Sequence, residues 1–363
     1  MSLKRIAIDK IGALKKFHSG GGEGTIFITN NGKLIKLYDA STNEDIEKIN
    51  KRLCILGADN SIFDGLSSFC AVPEMLIEQS NTGKIIGFQM NLFKEFSPLS
   101  VLVSKQFCVD HRITIRKIAT VFLAIHDAIS KIHSKGFIIG DLNYENIMFK
   151  FENKSVRLAF VDVDSWAIRK GNVDIPSTSI TPTLCHPEIE SGSVKVMRYH
   201  DWYSFAVILA HALIKDDPFN LGILDKAMMH SINGKRQQHG ITCWDPRVTL
   251  RNEHIPYVRR FGKKITQELE TWLKGDKKDI FPKGALEDFL AGLSMCKGER
   301  QGKKCALEVH LDHINCTRCG EKLTQPITRA SHIPPITAQN PAPQSKRNQA
   351  DMDLLDSILQ ASK

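Results

Sequence analysis

Asp141, Asn146, Asp162 and Asp164 place three carboxylates and an amide at intervals suited to phosphate chemistry. The stretch Ile132-His133-Ser134-Lys135-Gly136-Phe137-Ile138-Ile139-Gly140-Asp141 leaves a helical pattern at a glycine, runs through a short apolar strand and enters a polar loop. Asn146 follows five residues after Asp141. At that spacing a carboxylate can orient a hydroxyl and take its proton, while an amide across the turn ligates magnesium on a phosphate chain. The plainer alternative is an ordinary loop in which Asp141 caps local amides. Downstream, Leu158-Ala159-Phe160-Val161 reads as a strand ending in Asp162-Val163-Asp164. Two acids so close repel unless a cation lies between them. Asp162 is expected to be the main magnesium ligand, and Asp164 a second metal contact or a structural acceptor.

Upstream, Ser19-Gly20-Gly21-Gly22-Glu23-Gly24-Thr25-Ile26 lies between two strand-like segments. Glycines let backbone amides approach phosphate oxygens. A flexible hairpin turn explains the cluster equally well. No Gly-Lys-Ser/Thr follows, so it is not a P-loop. One hairpin later, Lys36 in Leu34-Ile35-Lys36-Leu37-Tyr38 can neutralise α- and β-phosphates if a carboxylate holds it. Glu47, on the next helical stretch, is the first candidate for that partner and Glu44 the second.

A separate group near the C-terminal end, Cys296, Cys305, Cys316 and Cys319, has metal-ligand spacing. Cys316-Thr-Arg-Cys319-Gly has the form of one half of a zinc ribbon, with two thiolates able to face one ion. The longer gap from Cys296 to Cys305 leaves His310 or His313 as alternative ligands. Four closed ligands would make the zinc structural. Unliganded surface thiols are the other reading.

These residues need elements to hold them. Ala13–Phe17, Thr25–Thr29 and Lys33–Tyr38 read as strands, with a hairpin turn at Asn30-Asn31-Gly32. Asn43–Leu56 has helical spacing, and Leu76–Ile86 reads as a second hairpin. From Ile113 to His133 a broad apolar helical face recurs. Phe137–Ile139, Ile147–Phe149 and Val156–Val161 read as short strands, Tyr203–Ile214 as a central helix, and Lys264–Leu293 as amphipathic helix. Residues 324–349 are proline-rich with few apolar residues, the pattern of a flexible linker. Residues 350–363 could form a short amphipathic helix that docks on a partner.

The chain's 363 residues allow one large or two modest domains, and 42% hydrophobic with 25% charged residues suits a globular protein. The longest apolar run, Phe205–Ile214, is too short to span a bilayer. The N-terminus lacks the apolar core of a signal peptide, so the expected location is the cytoplasm, without membrane attachment. Net charge is +9, but the basic residues are dispersed, which argues against nucleic acid as the primary partner.

The order of glycine loop, strand lysine, helix glutamate, D-x-x-x-x-N and strand-end aspartate resembles the protein kinase superfamily. In that likeness Gly21, Gly22, Gly24 and Ile26 belong to the nucleotide loop, and Lys36, Glu47, Asn146 and Asp162 to the nucleotide and magnesium site. Asp141, Lys36 and Asn146 would be the catalytic set. His186-Pro187-Glu188 sits where kinases have A-P-E, His200-Asp201-Trp202-Tyr203-Ser204-Phe205 is similar to the D-x-W-S-F helix start, and Asp217-Pro218-Phe219 to the H-P-F turn. G-D-L-N-x-x-N with D-V-D-S-W is similar to a bacterial group of divergent kinase-like proteins, some with zinc-ribbon appendages.

The resemblance implies an α+β bilobal fold: an extension over 1–11, a small β-rich N-lobe over about 12–93, a larger helical C-lobe over about 94–290, and a zinc-ribbon-like segment over 291–323. It also implies ATP and magnesium, and γ-phosphoryl transfer to Ser/Thr hydroxyls of a protein substrate. Ile139-Gly140 replaces His-Arg, Asn143 replaces the loop lysine, and Asp162-Val163-Asp164 replaces D-F-G. Those departures keep two alternatives in view: a nucleotide-binding pseudokinase scaffold and a small-molecule phosphotransferase. Ser177, Thr178, Ser179, Thr181 and Thr183 are candidate self-phosphorylation sites. Glu188 is expected to pair with an arginine such as Arg251 or Arg259, and Asp201 to hold the catalytic-loop backbone.

Overall fold

Period-two alternation in the first part of the chain builds a six-stranded sheet, with one helix inserted. Its elements are β1 (Lys4–Ala7), β2 (Leu14–Ser19), β3 (Gly24–Thr29), β4 (Leu34–Tyr38), α1 (Asn43–Ala58), β5 (Met75–Glu78) and β6 (Ile85–Met90). The strand order is β1-β5-β6-β4-β3-β2, antiparallel except that β1 runs parallel to β5. This is a computed structural model, and it describes residues 2–19, 24–39, 43–153, 155–192 and 194–323, without the side chains of 18, 19, 43–46 and 60. Gly21, Gly22, the expected linker over 324–349 and the expected helix over 350–363 lie outside the described residues.

The expected boundary at residue 12 falls inside the sheet. Lys4–Ala7 pairs with Met75–Glu78, and the amide of Leu3 donates to the carbonyl of Gly57 at 2.8 Å. The two cations Lys4-Arg5 conceal this strand in the sequence, because both side chains are exposed at the sheet edge.

The remainder is mainly helical: β7 (Ser97–Pro98), α2 (Lys105–Asp110), α3 (Ile115–Ser134), β8 (Phe137–Ile138), β9 (Ile147–Glu152), β10 (Ser155–Phe160), β11 (Ala167–Lys170), β12 (Val173–Ile175), α4 (Pro187–Glu190), α5 (Arg198–Ile214), α6 (Lys226–Ser231), α7 (Ile255–Val258), α8 (Lys263–Leu273) and α9 (Lys283–Gly292). From Trp202 to Ile214 helix α5 is nearly all apolar, so it occupies the centre, with Trp202, Tyr203 and Phe205 at most 1% exposed. Each such side chain contributes roughly 1.5–3 kcal/mol of transfer free energy before chain entropy is subtracted. Helix α3 packs between α5 and α9. The amphipathic stretch expected to run from Lys264 to Leu293 is two helices, broken where Gly275 adopts φ +79° and Pro282 follows.

The last four short strands, β13 (Leu293–Met295), β14 (Glu299–Arg300), β15 (Lys303–Lys304) and β16 (Glu308–His310), form two small hairpin-like pairs around the cysteines. This segment is joined to the helical part. Glu308 Oε2 accepts from the amides of Ile115 and Arg116 at the start of α3, and Arg116 in turn donates to the carbonyls of Leu290 in the last turn of α9 and Leu293 just beyond it. The chain thus combines a β-rich first part, a helical second part and a cysteine-bearing segment.

Candidate active site

The β9–β10 hairpin sets the site. Its register pairs Ile147 with Phe160, so Asn146 and Val161-Asp162 emerge at the same end, where the Val161 amide donates to the Asn146 carbonyl at 3.0 Å. Asn146 Nδ2 reaches the Asp141 carbonyl at 3.1 Å. From the opposite sheet Lys36 Nζ reaches Asp162 Oδ1 at 2.6 Å and Asp164 Oδ2 at 2.9 Å. Lys36, Asp141, Asn146 and Asp162, spread over more than a hundred residues of sequence, are therefore joined by contacts.

Asp162 adopts the left-handed conformation, φ 58° and ψ 35°, turning its carboxylate back toward Lys36 while Ser165 donates to its carbonyl at 2.8 Å. Asp164 is buried, with Tyr38 donating its hydroxyl to Oδ2. Burial works against the Asp164 charge, yet the Lys36 ammonium and the Tyr38 hydroxyl outweigh it and hold the carboxyl below its ordinary range. Asp162 moves the other way: burial and the neighbouring Asp164 charge push its pKa up. Burial also opposes the charge on Lys36, but the two carboxylates keep its pKa above the ordinary value.

Two carboxylates share the Lys36 ammonium here. Asp164 Oδ1 is buried without a hydrogen-bond partner among the described residues. The Asp162 side chain remains 30% exposed. A hard cation with oxygen ligands fits this donor set.

Glu47 does not hold Lys36. It pairs with Lys84 Nζ at 2.7 Å, because its turn of α1 faces the edge of β6. The Glu44 side chain is not among those described. What α1 does supply is Arg52, whose guanidinium donates to the carbonyls of Asp164, Trp166 and Pro176. No sequence pattern marked Arg52. Tyr38 was more accessible to reading, since it lies two residues after Lys36 and so on the same face of β4.

Around Asp141, Thr181 Oγ1 donates to Asp141 Oδ1 at 2.6 Å, and Asn143 Nδ2 to Asp141 Oδ2 at 3.1 Å. Asn143 also lies 3.3 Å from Thr181 Oγ1 and accepts from the amides of Glu145 and Asn146. The residue that the sequence marked as a lost lysine thus organises the loop. Asp201 accepts from the amides of Ile139 and Gly140, both at 2.8 Å, and from His133 Nε2 at 2.7 Å. Gly140 has φ +77°, and a Cβ there would stand 2.6 Å from Ser177 Oγ.

At the glycine loop, a Cβ on Gly24 would meet the Leu37 carbonyl oxygen at 2.4 Å, so glycine is required there for close strand approach. Ile26 pairs with Lys36 across β3 and β4 and packs against the core.

Glu188 pairs with neither Arg251 nor Arg259. It accepts from His200 Nε2 at 2.8 Å and from Tyr199, with Lys278 at 3.4 Å. His186 and His200 bring nitrogens near it, but the Met197 amide donates to His200 Nδ1 at 2.7 Å. That fixes the proton on Nε2, facing Glu188, so this trio is a structural cluster and not a metal site.

The four cysteines do converge. Sγ atoms of Cys296 and Cys319 are 3.5 Å apart and those of Cys305 and Cys316 3.7 Å, with all four within 4.8 Å of one another. Four ligands at the usual Zn–S length of about 2.3 Å make a tetrahedron with edges of about 3.8 Å. Amides of Gly298 and Arg318 point at the sulfurs of Cys296 and Cys316. His310 and His313 do not replace a cysteine: His310 stacks on Phe289, and His313 bonds the Phe261 carbonyl. The cluster is compatible with a zinc ribbon.

Among the described residues no helix is long and apolar enough to cross a membrane. The family profile described as protein kinase domain matches residues 76–279, more than half of the 363-residue chain. Its match begins within β5, so Lys36 and Gly24 lie outside it and are placed by geometry alone. No curated protein matches the chain.

Proposed function

Because the chain belongs to the protein kinase domain family, and so to the phosphotransferases, we propose that it transfers the γ-phosphoryl group of ATP to Ser/Thr hydroxyls of a protein. The observation that carries this reading is the Lys36–Asp162 contact, continued through the β9–β10 hairpin to Asn146 and Asp141. In it Lys36 binds phosphate oxygens, and Asp162 and Asn146 hold magnesium, with Asp164 fixing Lys36 from behind. Bound magnesium supplies neutralisation of charge on the phosphates.

Asp141 orients the attacking hydroxyl and receives its proton. Each of its oxygens already takes one donor, from Thr181 and Asn143, and each retains a second lone pair for a substrate. Asn143 compensates in position, though not in charge, for the absent lysine. The cysteine cluster takes one structural zinc, and nine thiols together with that site suit a reducing cytoplasm.

The test is transfer from labelled Mg-ATP by the intact chain and by Asp141→Asn. Label on a protein acceptor with the former and its loss with the latter is expected. A thermal shift with Mg-ATP but no transfer to any acceptor would replace this reading by the scaffold one, and label on small alcohols alone by the small-molecule one.

A further inference from the structure

An unused cleft adjoins the catalytic loop. It has a volume of about 270 Å³ and lies between β11, β12 and residues 194–196, with Arg169, Ser177, Lys195 and Val196 in its walls. It is next to the reacting position: the same imagined Cβ on Gly140, the residue before Asp141, that meets Ser177 also lies 3.5 Å from Val196 Cγ1. The adjoining strip Val194-Lys195-Val196-Met197-Arg198 interleaves three apolar residues with two basic ones. Val194 and Met197 are both 42% exposed, and Lys195 and Arg198 are exposed as well. Ile180, 41% exposed, precedes the Thr181 that bonds Asp141. Asp174 neutralises part of the cationic charge, pairing with Arg169 at 3.3 Å and Lys195 at 3.0 Å, and Arg198 extends it. A segment in which acidic and apolar residues are interleaved before a hydroxyl, with apolar residues after it, fits this surface.

The chain's own end has that order: Asp351-Met352-Asp353-Leu354-Leu355-Asp356-Ser357-Ile358-Leu359. We propose that Ser357 is a phosphoacceptor of this same site, with its three upstream aspartates on the Lys195–Arg198 strip and its following Ile358 toward Ile180. The proposal rests on the kinase reading above. In the step, Ser357 Oγ forms a bond to the γ-phosphorus, and the bond from that phosphorus to the β,γ-bridging oxygen breaks. ADP leaves with that electron pair, and the hydroxyl proton passes to Asp141. Reach is sufficient. Residues 324–349, at about 3.3 Å each, can cover on the order of 85 Å. A domain of some three hundred residues is only about 50 Å across. Tethering also gives the segment an effective concentration of order millimolar, which a free acidic peptide would rarely match.

The test uses the full chain with labelled Mg-ATP over a wide range of protein concentration, with sites located by mass spectrometry. Label on Ser357 at a rate per chain independent of concentration is expected, lost in Ser357→Ala. Reversing the strip with Lys195→Glu and Arg198→Glu should slow tail labelling about tenfold, as charge reversal at a binding rim does, and leave transfer to myelin basic protein unchanged. A peptide of residues 350–363 should be labelled in trans by Ser357→Ala. Label on the basic acceptor but none on Ser357 overturns the proposal while sparing the kinase reading. Tail labelling indifferent to the charge reversal overturns the assignment of the cleft, and no label on any acceptor removes both.

Discussion

Lys36 and Asp164, 128 positions apart, meet at 2.9 Å in a contact buried from solvent on both sides. The strand lysine is thus held by Asp162 and Asp164 at the end of the β9–β10 hairpin, and the glutamate expected to hold it is engaged with Lys84. Removing the amine leaves Asp162 and Asp164 facing each other. Lys36→Met should abolish transfer and lower stability by about 3–5 kcal/mol, the usual penalty for breaking a buried ion pair. Adding Asp164→Asn should recover part of that stability without recovering transfer. Urea melts of the two variants check this; equal melts for Lys36→Met and the parent protein would exclude it.

Thr181 and Asn143 orient Asp141 from two sides. Thr181→Val should lower kcat about tenfold, the kinetic equivalent of a hydrogen bond of roughly 1.5 kcal/mol to a charged group, with the melting temperature nearly unchanged. Asp141→Asn should cost about 10²–10⁴ in kcat. Steady-state rates with a fixed acceptor decide, and a Thr181→Val enzyme of full activity would make the contact incidental.

Glu188 provides an acid-side signature. Burial disfavours its charge, but hydrogen bonds from Tyr199 and His200, with His186 and Lys278 nearby, pull its pKa from 4.5 down to about 2. A depressed acid adds stability that is fully present above the unfolded value and is lost as pH falls through the folded one. Folding stability should therefore decline between pH about 4.5 and about 2, and Glu188→Gln should flatten that slope while lowering stability at neutral pH. Melts at stepped pH test it; a slope that survives the substitution would assign the decline elsewhere.

The cysteine segment should hold about one zinc per chain. Because Glu308 caps α3 from within that segment, chelation should lower the melting temperature of the helical part as a whole. Glu308→Ala should cost about 1 kcal/mol, as loss of a cap does, with zinc retained. Metal analysis with calorimetry distinguishes these, and a metal-free chain melting at the same temperature would show the cluster to be dispensable.

Much of this was legible in the sequence because the chemistry demands residue types at fixed spacing. Asp141 and Asn146 sit on one loop, and Asp162 at the end of one hairpin, so local pattern finds them and the hairpin brings them together. The same holds for Cys316 and Cys319, whose turn is local. Glu47 against Glu44 was a question of helix rotation, which apolar spacing alone cannot settle when the side chain lies near the lobe surface. Arg52 was invisible because its acceptors are carbonyls, and every residue has one. Strand β1 escaped because an edge strand buries little and carries charge.

The three carbonyls gripped by Arg52 tie α1 to the segment from Asp164 to Pro176 that carries β11 and β12. Any hinge motion that lifts α1 must release all three at once. If spent nucleotide leaves by a lift of α1, the β11–β12 segment should come loose with it, so turnover and the movement of that segment share one clock.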